Sequence, residues 1–387
     1  MTENRLGGVL TAIVTPFDSE GRVDEAALRR LVRWQIEEGV AGLVPCGTTG
    51  EGATLDPAEH ELVVRIVVEE AKKSTRRLRI VAGAGTNDTR RTVALARRCR
   101  RAGADSLLVV TPYYNKPTQA GMRDYFREIA DAVDLPIVVY NVPGRTGVNL
   151  LPDTVLRIAE DPRFAGVKEA SGNLDQASQI LRSRPERFAV LSGEDSLALP
   201  MIALGADGAI AVVSNEAPGA FSRMVEEARA GNFAAAREIH ARLFPLMRAN
   251  FCESNPIPVK WAVARMGRIE NRLRSPLTEL ATSFHASMEA AMAEAGIEAS
   301  PMATAQDAAR IATAQDAVRT VVAPNAARIA TAQDAVRTVA AQDAAGTEVA
   351  QDAARTVAAP NAARTVAAPN AARTVVAHDA ARTEAAR

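Results

Sequence analysis

The sequence predicts an α/β fold, a closed parallel (β/α)8 barrel of the TIM type. A C-terminal three-helix appendage and a low-complexity repeat tail follow it. Three observations carry this expectation. Eight short runs rich in β-branched residues recur up to residue 213, amphipathic helical patterns lie between them, and no glycine-rich phosphate fingerprint opens the first helix. The alternative, a doubly wound open sheet, would need that fingerprint, and AGAGTND after the third run lacks the spacing.

The strand runs are, in order, VLTAIVTP (9–16), GLVPC (42–46), RIVAGA (79–84), SLLVVTP (106–112), PIVVYN (136–141), AGVKE (165–169), FAVLSG (188–193) and GAIAVV (208–213). Between them, stretches such as DEAALRRLVRWQIEEG and PAEHELVVRIVVEEAKK place apolar residues three and four apart, with helix breakers at their ends. After the eighth run come three helical patterns without a strand, near 217–230, 233–250 and 256–296. The expected division is therefore a barrel over 1–215, a helical domain over 216–297 and a tail over 298–387.

The tail obeys a different grammar. From Ala303 to Thr383 it divides into nine nonapeptides of the ATAQDAARI and VAAPNAART kind, without an aromatic residue, Leu or Lys. Such a segment has little to bury against the entropy of ordering it. Pro324, Pro360 and Pro369 would interrupt any long helix, so fraying helical segments are expected. Nine residues at about 100° each put equivalent positions on opposite faces, which argues against a coiled coil. A tandem expansion without a role is the simplest reading, with tethering or assembly as the alternative.

Charge excludes some partners. Lys plus Arg and Asp plus Glu both number 46, so no net field draws the chain to nucleic acid or an anionic membrane. Three dispersed cysteines, Cys46, Cys99 and Cys252, suit a reducing compartment and form no zinc pattern. The first residues, MTENRLGG, do not read as a leader, and no apolar run has membrane-spanning length, so a cytoplasmic location is expected.

In such a barrel the reacting groups collect where strands end. Three of the four tyrosines, Tyr113, Tyr114 and Tyr140, sit at those exits, whereas Tyr125 lies mid-helix as a packing residue. Of five lysines, Lys72 and Lys73 end a helix, Lys260 falls in the appendage as a structural residue, and Lys116 lies in a loop. Lys168 alone lies inside an apolar strand, FAGVKEA. Burial favours the neutral amine, which can attack a carbonyl and form a Schiff base. A salt bridge to Glu169 or Glu194 is the structural alternative. Arg145, in the rigid segment NVPGRT, reads as a clamp for a carboxylate. The turn GTTGE reads, alone, as a tight turn with capping hydroxyls. His60, His240, His285 and His378 cluster with nothing, so neither a metal site nor a serine or cysteine triad is expected.

Seven motifs then fall into a known order: GTTGE (47–51), TPYYNKP (111–117), YNVPGRTG (140–147), GVKEASGN (166–173), SGEDS (192–196), GAIAVVSN (208–215) and NPIPVKWA (255–262). Together they resemble the dihydrodipicolinate synthases, also called 4-hydroxy-tetrahydrodipicolinate synthases. These belong to the pyruvate-dependent class I aldolases, which include N-acetylneuraminate lyase. The resemblance covers roughly residues 5–297 and leaves the tail outside.

The resemblance implies condensation of pyruvate with aspartate semialdehyde, in lysine and diaminopimelate biosynthesis, without metal or organic cofactor. Lys168 would form the Schiff base, and Tyr140 would pass protons. Thr48 and Tyr114 would complete the relay, Tyr114 reaching into a neighbouring subunit of a homotetramer built as a dimer of dimers. Thr49 and the backbone at Ile210 would hold the pyruvate carboxyl end, and Arg145 the carboxylate of the aldehyde. Feedback-controlled members bind lysine through residues whose places here are Gly52, Pro57, His60, Asn87, Arg91 and Tyr113. Sensitive members carry a carboxylate where this chain has Arg91, so weak or absent lysine inhibition is expected. The competing readings are a related aldolase or dehydratase acting on a keto sugar acid, and a non-catalytic barrel scaffold with the tail as its contact device.

Overall fold

A computed structural model describes residues 5–299. The expected state of the tail from residue 300 onward lies outside the described residues. Eight parallel strands close into a barrel in sequence order: β1 (Gly8–Thr11), β2 (Gly42–Leu43), β3 (Arg79–Gly83), β4 (Ser106–Val110), β5 (Ile137–Asn141), β6 (Phe164–Glu169), β7 (Ala189–Ser192) and β8 (Gly208–Ala211). β8 returns to pair with β1, so the sheet has no free edge.

Period-two alternation divides the strands between two cores. Leu10, Val81, Leu108, Val138, Leu191 and Ile210 fill the barrel interior. Their strand neighbours Val9, Val109, Val139 and Val190, and Val167 on β6, face outward into the larger core beneath the helices. Asp24, Asp56, Asp88, Thr118 and Asn173 each cap a helix by accepting from a backbone N–H in its first turn. At Asp56 the cap is reciprocal, because Glu59 accepts in return from the Asp56 N–H.

Six of the strands end earlier than the apolar runs predict, whereas β5 and β6 end with their runs at Asn141 and Glu169. Beyond β1 the Val14 N–H donates to the side chain of Asn215 instead of a neighbouring strand, and beyond β2 Cys46 turns the chain at a φ of 58°. Apolar residues continue past the ladder, Val44 and Val142 into the core of the barrel interior and Val14 into the core beneath the helices. The third helical pattern, 256–296, is occupied by two helices, Ile257–Arg265 and His285–Glu294. Between them Gly267 adopts a φ of 71° and Pro276 has no N–H to give, which interrupts the helical ladder. The other two patterns form helices at Pro218–Arg229 and Phe233–Ala249.

Candidate active site

Strand register brings the amine and the phenol together. Tyr140 on β5 is the ladder partner of Lys168 on β6, and both point inward. Lys168 Nζ consequently lies 4.4 Å from the Tyr140 ring centroid. A side chain at Gly193 would place its Cβ 3.0 Å from two methylene carbons of Lys168, so glycine there leaves room for the lysine stem. The two residues line a cavity of about 210 Å³ at the carboxyl ends of the strands, with Thr48, Thr49, Arg145, Glu194 and Asn255 around it.

Alternation excludes one salt-bridge alternative for Lys168. Glu169 is the next residue and faces outward, where it accepts from Asn141, Gln176 and the Ser171 N–H. Among the described residues no carboxylate lies within ion-pair distance of Lys168 Nζ, so Glu194 does not clasp it either. Lys168 is only 6% exposed. Burial lowers its pKa to about 8, against the opposing pull of Asp195, and the Arg145 guanidinium lowers it further.

Burial raises the Tyr140 phenol to about 12, although Arg145 and a hydrogen bond with the Thr48 side chain act the other way. At neutral pH it is a hydroxyl able to hand a proton along to Thr48. Thr49 accepts a 3.0 Å hydrogen bond from Asn255 Nδ2, and Arg145 Nη2 donates to the Asn255 carbonyl at 3.3 Å. Asn255 thus joins the turn to the arginine. Asp195, buried behind β7, accepts from the N–H groups of Val212 and Val213 and fixes the exit of β8; burial raises its carboxyl to about 6.

Five of the seven proposed site residues surround one cavity: Lys168, Tyr140, Thr48, Thr49 and Arg145. The other two stand apart from its wall. Ile210 packs its side chain into the barrel interior, and Val212, just past the end of β8, meets the cavity in its place. Tyr114 is 88% exposed at a φ of 74°. Sequence reasoning assigned no role to Asn255, Asp195 or Glu51, and sorted Lys260 with the structural lysines. The available signal for Lys260 was its place in the apolar helix IPVKWAVAR, every residue of which is buried up to Val263. Among the described residues no group of three or more His, Cys, Asp or Glu could hold a metal ion, and no helix is long and apolar enough to cross a membrane.

The chain is similar to known proteins along this whole unit. The curated 4-hydroxy-tetrahydrodipicolinate synthase of Nitratidesulfovibrio vulgaris (strain DP4) is 50% identical over 291 residues, 75% of this chain and 98% of the relative. That of Maridesulfovibrio salexigens is 47% identical over 291 residues, with the same shares. The crystal structure of a chloride-inhibited dihydrodipicolinate synthase from Acinetobacter baumannii, complexed with pyruvate, matches with a TM-score of 0.73 and 43% identity, covering 76% of this chain and 99% of that one. The model of the dihydrodipicolinate synthetase family matches residues 5–295. With the barrel, the inward lysine and relatives matched over nearly their full length, the chain belongs to the dihydrodipicolinate synthetase family.

Proposed function

We propose that this protein condenses pyruvate with L-aspartate 4-semialdehyde to 4-hydroxy-tetrahydrodipicolinate through an imine on Lys168. The observation that carries the reading is a buried amine with no carboxylate partner among the described residues, lying against a neutral phenol. The neutral amine adds to the pyruvate carbonyl, and Tyr140 and Thr48 supply the protons with which the hydroxyl of the resulting carbinolamine leaves as water. The resulting iminium draws electrons from the methyl group, which loses a proton to give an enamine. Its carbon attacks the aldehyde, whose oxygen takes up a proton. The amino group of the added substrate then attacks the imine carbon, closing a ring and freeing Lys168.

Thr49 is placed to hold the pyruvate carboxylate, and Arg145 the carboxylate of the aldehyde. Ile210 contributes through its backbone in this reading. Tyr114 belongs to a neighbouring subunit's relay in a dimer of dimers, a role supported by its exposure beside the half-exposed Tyr113. The work is assigned to the cytoplasm, in keeping with three free cysteines. The division at residues 215 and 297 is kept, because no strand follows Ala211 among the described residues.

The test compares turnover of pyruvate plus aspartate semialdehyde with cleavage of a keto sugar acid. Turnover of the first pair is expected to dominate; a preference for the sugar acid sinks the assignment. Deletion of 298–387 is expected to leave kcat and both KM values within about twofold, since Thr48, Tyr140, Arg145 and Lys168 of the cavity wall all precede it. Loss of turnover on that deletion would give the tail a catalytic part.

Free lysine is expected to inhibit weakly or not at all. The exposed Arg91 side chain would face the ligand's ammonium, and the His60 ring is buried, with Nε2 2.7 Å from the Gly83 carbonyl oxygen. Half-inhibition below about 1 mM in the condensation assay would refute this.

A further inference from the structure

The turn that carries Thr48 and Thr49 is bent at both ends. Cys46 and Glu51 adopt φ values of 58° and 51°, a left-handed region that costs a residue with a side chain. Gly50 is pressed against the segment that follows β1, where a Cβ would lie 2.9 Å from the Ile13 carbonyl oxygen, and Thr15 Oγ1 donates to the Gly50 carbonyl at 2.7 Å. Such a turn stays in place only where its surroundings hold it.

What holds it arrives from the far end of the unit. Glu51 Oε1 accepts from Lys260 Nζ at 2.7 Å, and Oε2 accepts from the Arg274 N–H at 3.0 Å. Lys260 donates a second bond to the Thr15 carbonyl at 2.8 Å and lies 4.2 Å from the Phe17 ring centroid. The Arg274 guanidinium covers the same ring at 4.4 Å and pairs with Glu59. The Lys260 and Glu51 side chains are 0% and 1% exposed, and neither lines the cavity.

A buried ion pair of this kind repays its desolvation poorly as a source of stability; an apolar pair of similar volume often does as well. It does require one geometry. We propose that Glu51 and Lys260 are a positioning pair, through which the C-terminal helical segment fixes the turn that presents Thr48 to Tyr140 and Thr49 to pyruvate. This rests on the roles given above to Thr48 and Thr49.

The test uses the full-length protein with Glu51→Gln and with the double variant Glu51→Gln/Lys260→Met, which removes both charges at similar volume. For each, Tm, the rate of borohydride trapping of pyruvate on Lys168, and separate KM values for pyruvate and aspartate semialdehyde are measured. Both variants are expected to fold. Pyruvate KM should rise and trapping slow by roughly tenfold or more, the scale of a displaced positioning group, while the aldehyde KM stays within about twofold. A folded variant with wild-type pyruvate KM and trapping overturns the proposal. So does an equal rise in both KM values, or failure of both variants to fold, since the pair would then serve the fold as a whole. If the wild-type protein itself is not trapped at Lys168, the reaction assigned above is wrong and the positioning role falls with it.

Discussion

Borohydride added to the protein and pyruvate is expected to fix the three-carbon acid onto Lys168, read as added mass on the peptide containing that residue. Lys168→Met should abolish the adduct and lower kcat by on the order of a thousandfold or more, the scale on which covalent nucleophiles fail when removed. Tm should not fall, because the substitution takes a costly amine out of an apolar site. The adduct rate also has a predicted pH dependence. With the amine titrating at about 8, only about a tenth is unprotonated at pH 7. The rate should therefore climb about tenfold from pH 6 to 7, then flatten above 8, since it is loss of the proton that creates the nucleophile. Mass on another lysine, or a rate that falls as pH rises through 8, would break the assignment.

Tyr140→Phe is expected to lower kcat by about a hundredfold to a thousandfold while the fold persists, because the phenol oxygen is removed and the ring remains. The adduct should still form, more slowly, since the amine itself is intact. Burial keeps the phenol neutral to about 12, so its ionisation should give no step in the pH profile of kcat below about pH 10. An unchanged kcat would show that protons reach the intermediate by another route. Thr48 and Tyr140 line the same cavity and the Thr48 side chain acts on the phenol, so losses on changing both should fall short of additive.

The barrel was legible because each strand announces itself locally. A run such as SLLVVTP is apolar, branched and bounded by a helical pattern on either side, and β4 forms within it. Strand ends were less legible, since apolar residues continue beyond the ladder, Val142 into the cavity wall and Val14 into the core beneath the helices. Lys168 stood out through its apolar context. That criterion applies equally to Lys260, whose pKa burial also lowers to about 8 despite Glu51 beside it. What separates the two is a partner: Lys260 meets Glu51 and the Thr15 carbonyl, whereas Lys168 meets, among the described residues, neither a carboxylate nor a capping oxygen. Partnership across such distances leaves no periodic trace in a sequence. Asn255 escaped notice for the same reason, being a polar residue in a proline-rich segment whose value depends on where Thr49 and Arg145 end up.

The contacts of Asn255 with Thr49 and of Lys260 with Glu51 span 206 and 209 positions along the chain. A nascent chain emerging from the ribosome can therefore assemble most of the strands while the threonine loop is still without its anchors. The nitrogen of Lys168, to which the proposed function assigns the reaction, is made well before the residues that anchor that loop. Catalytic competence thus arrives late in synthesis and nearly all at once, and a fragment cut short before residue 260 would be a barrel without a working mouth.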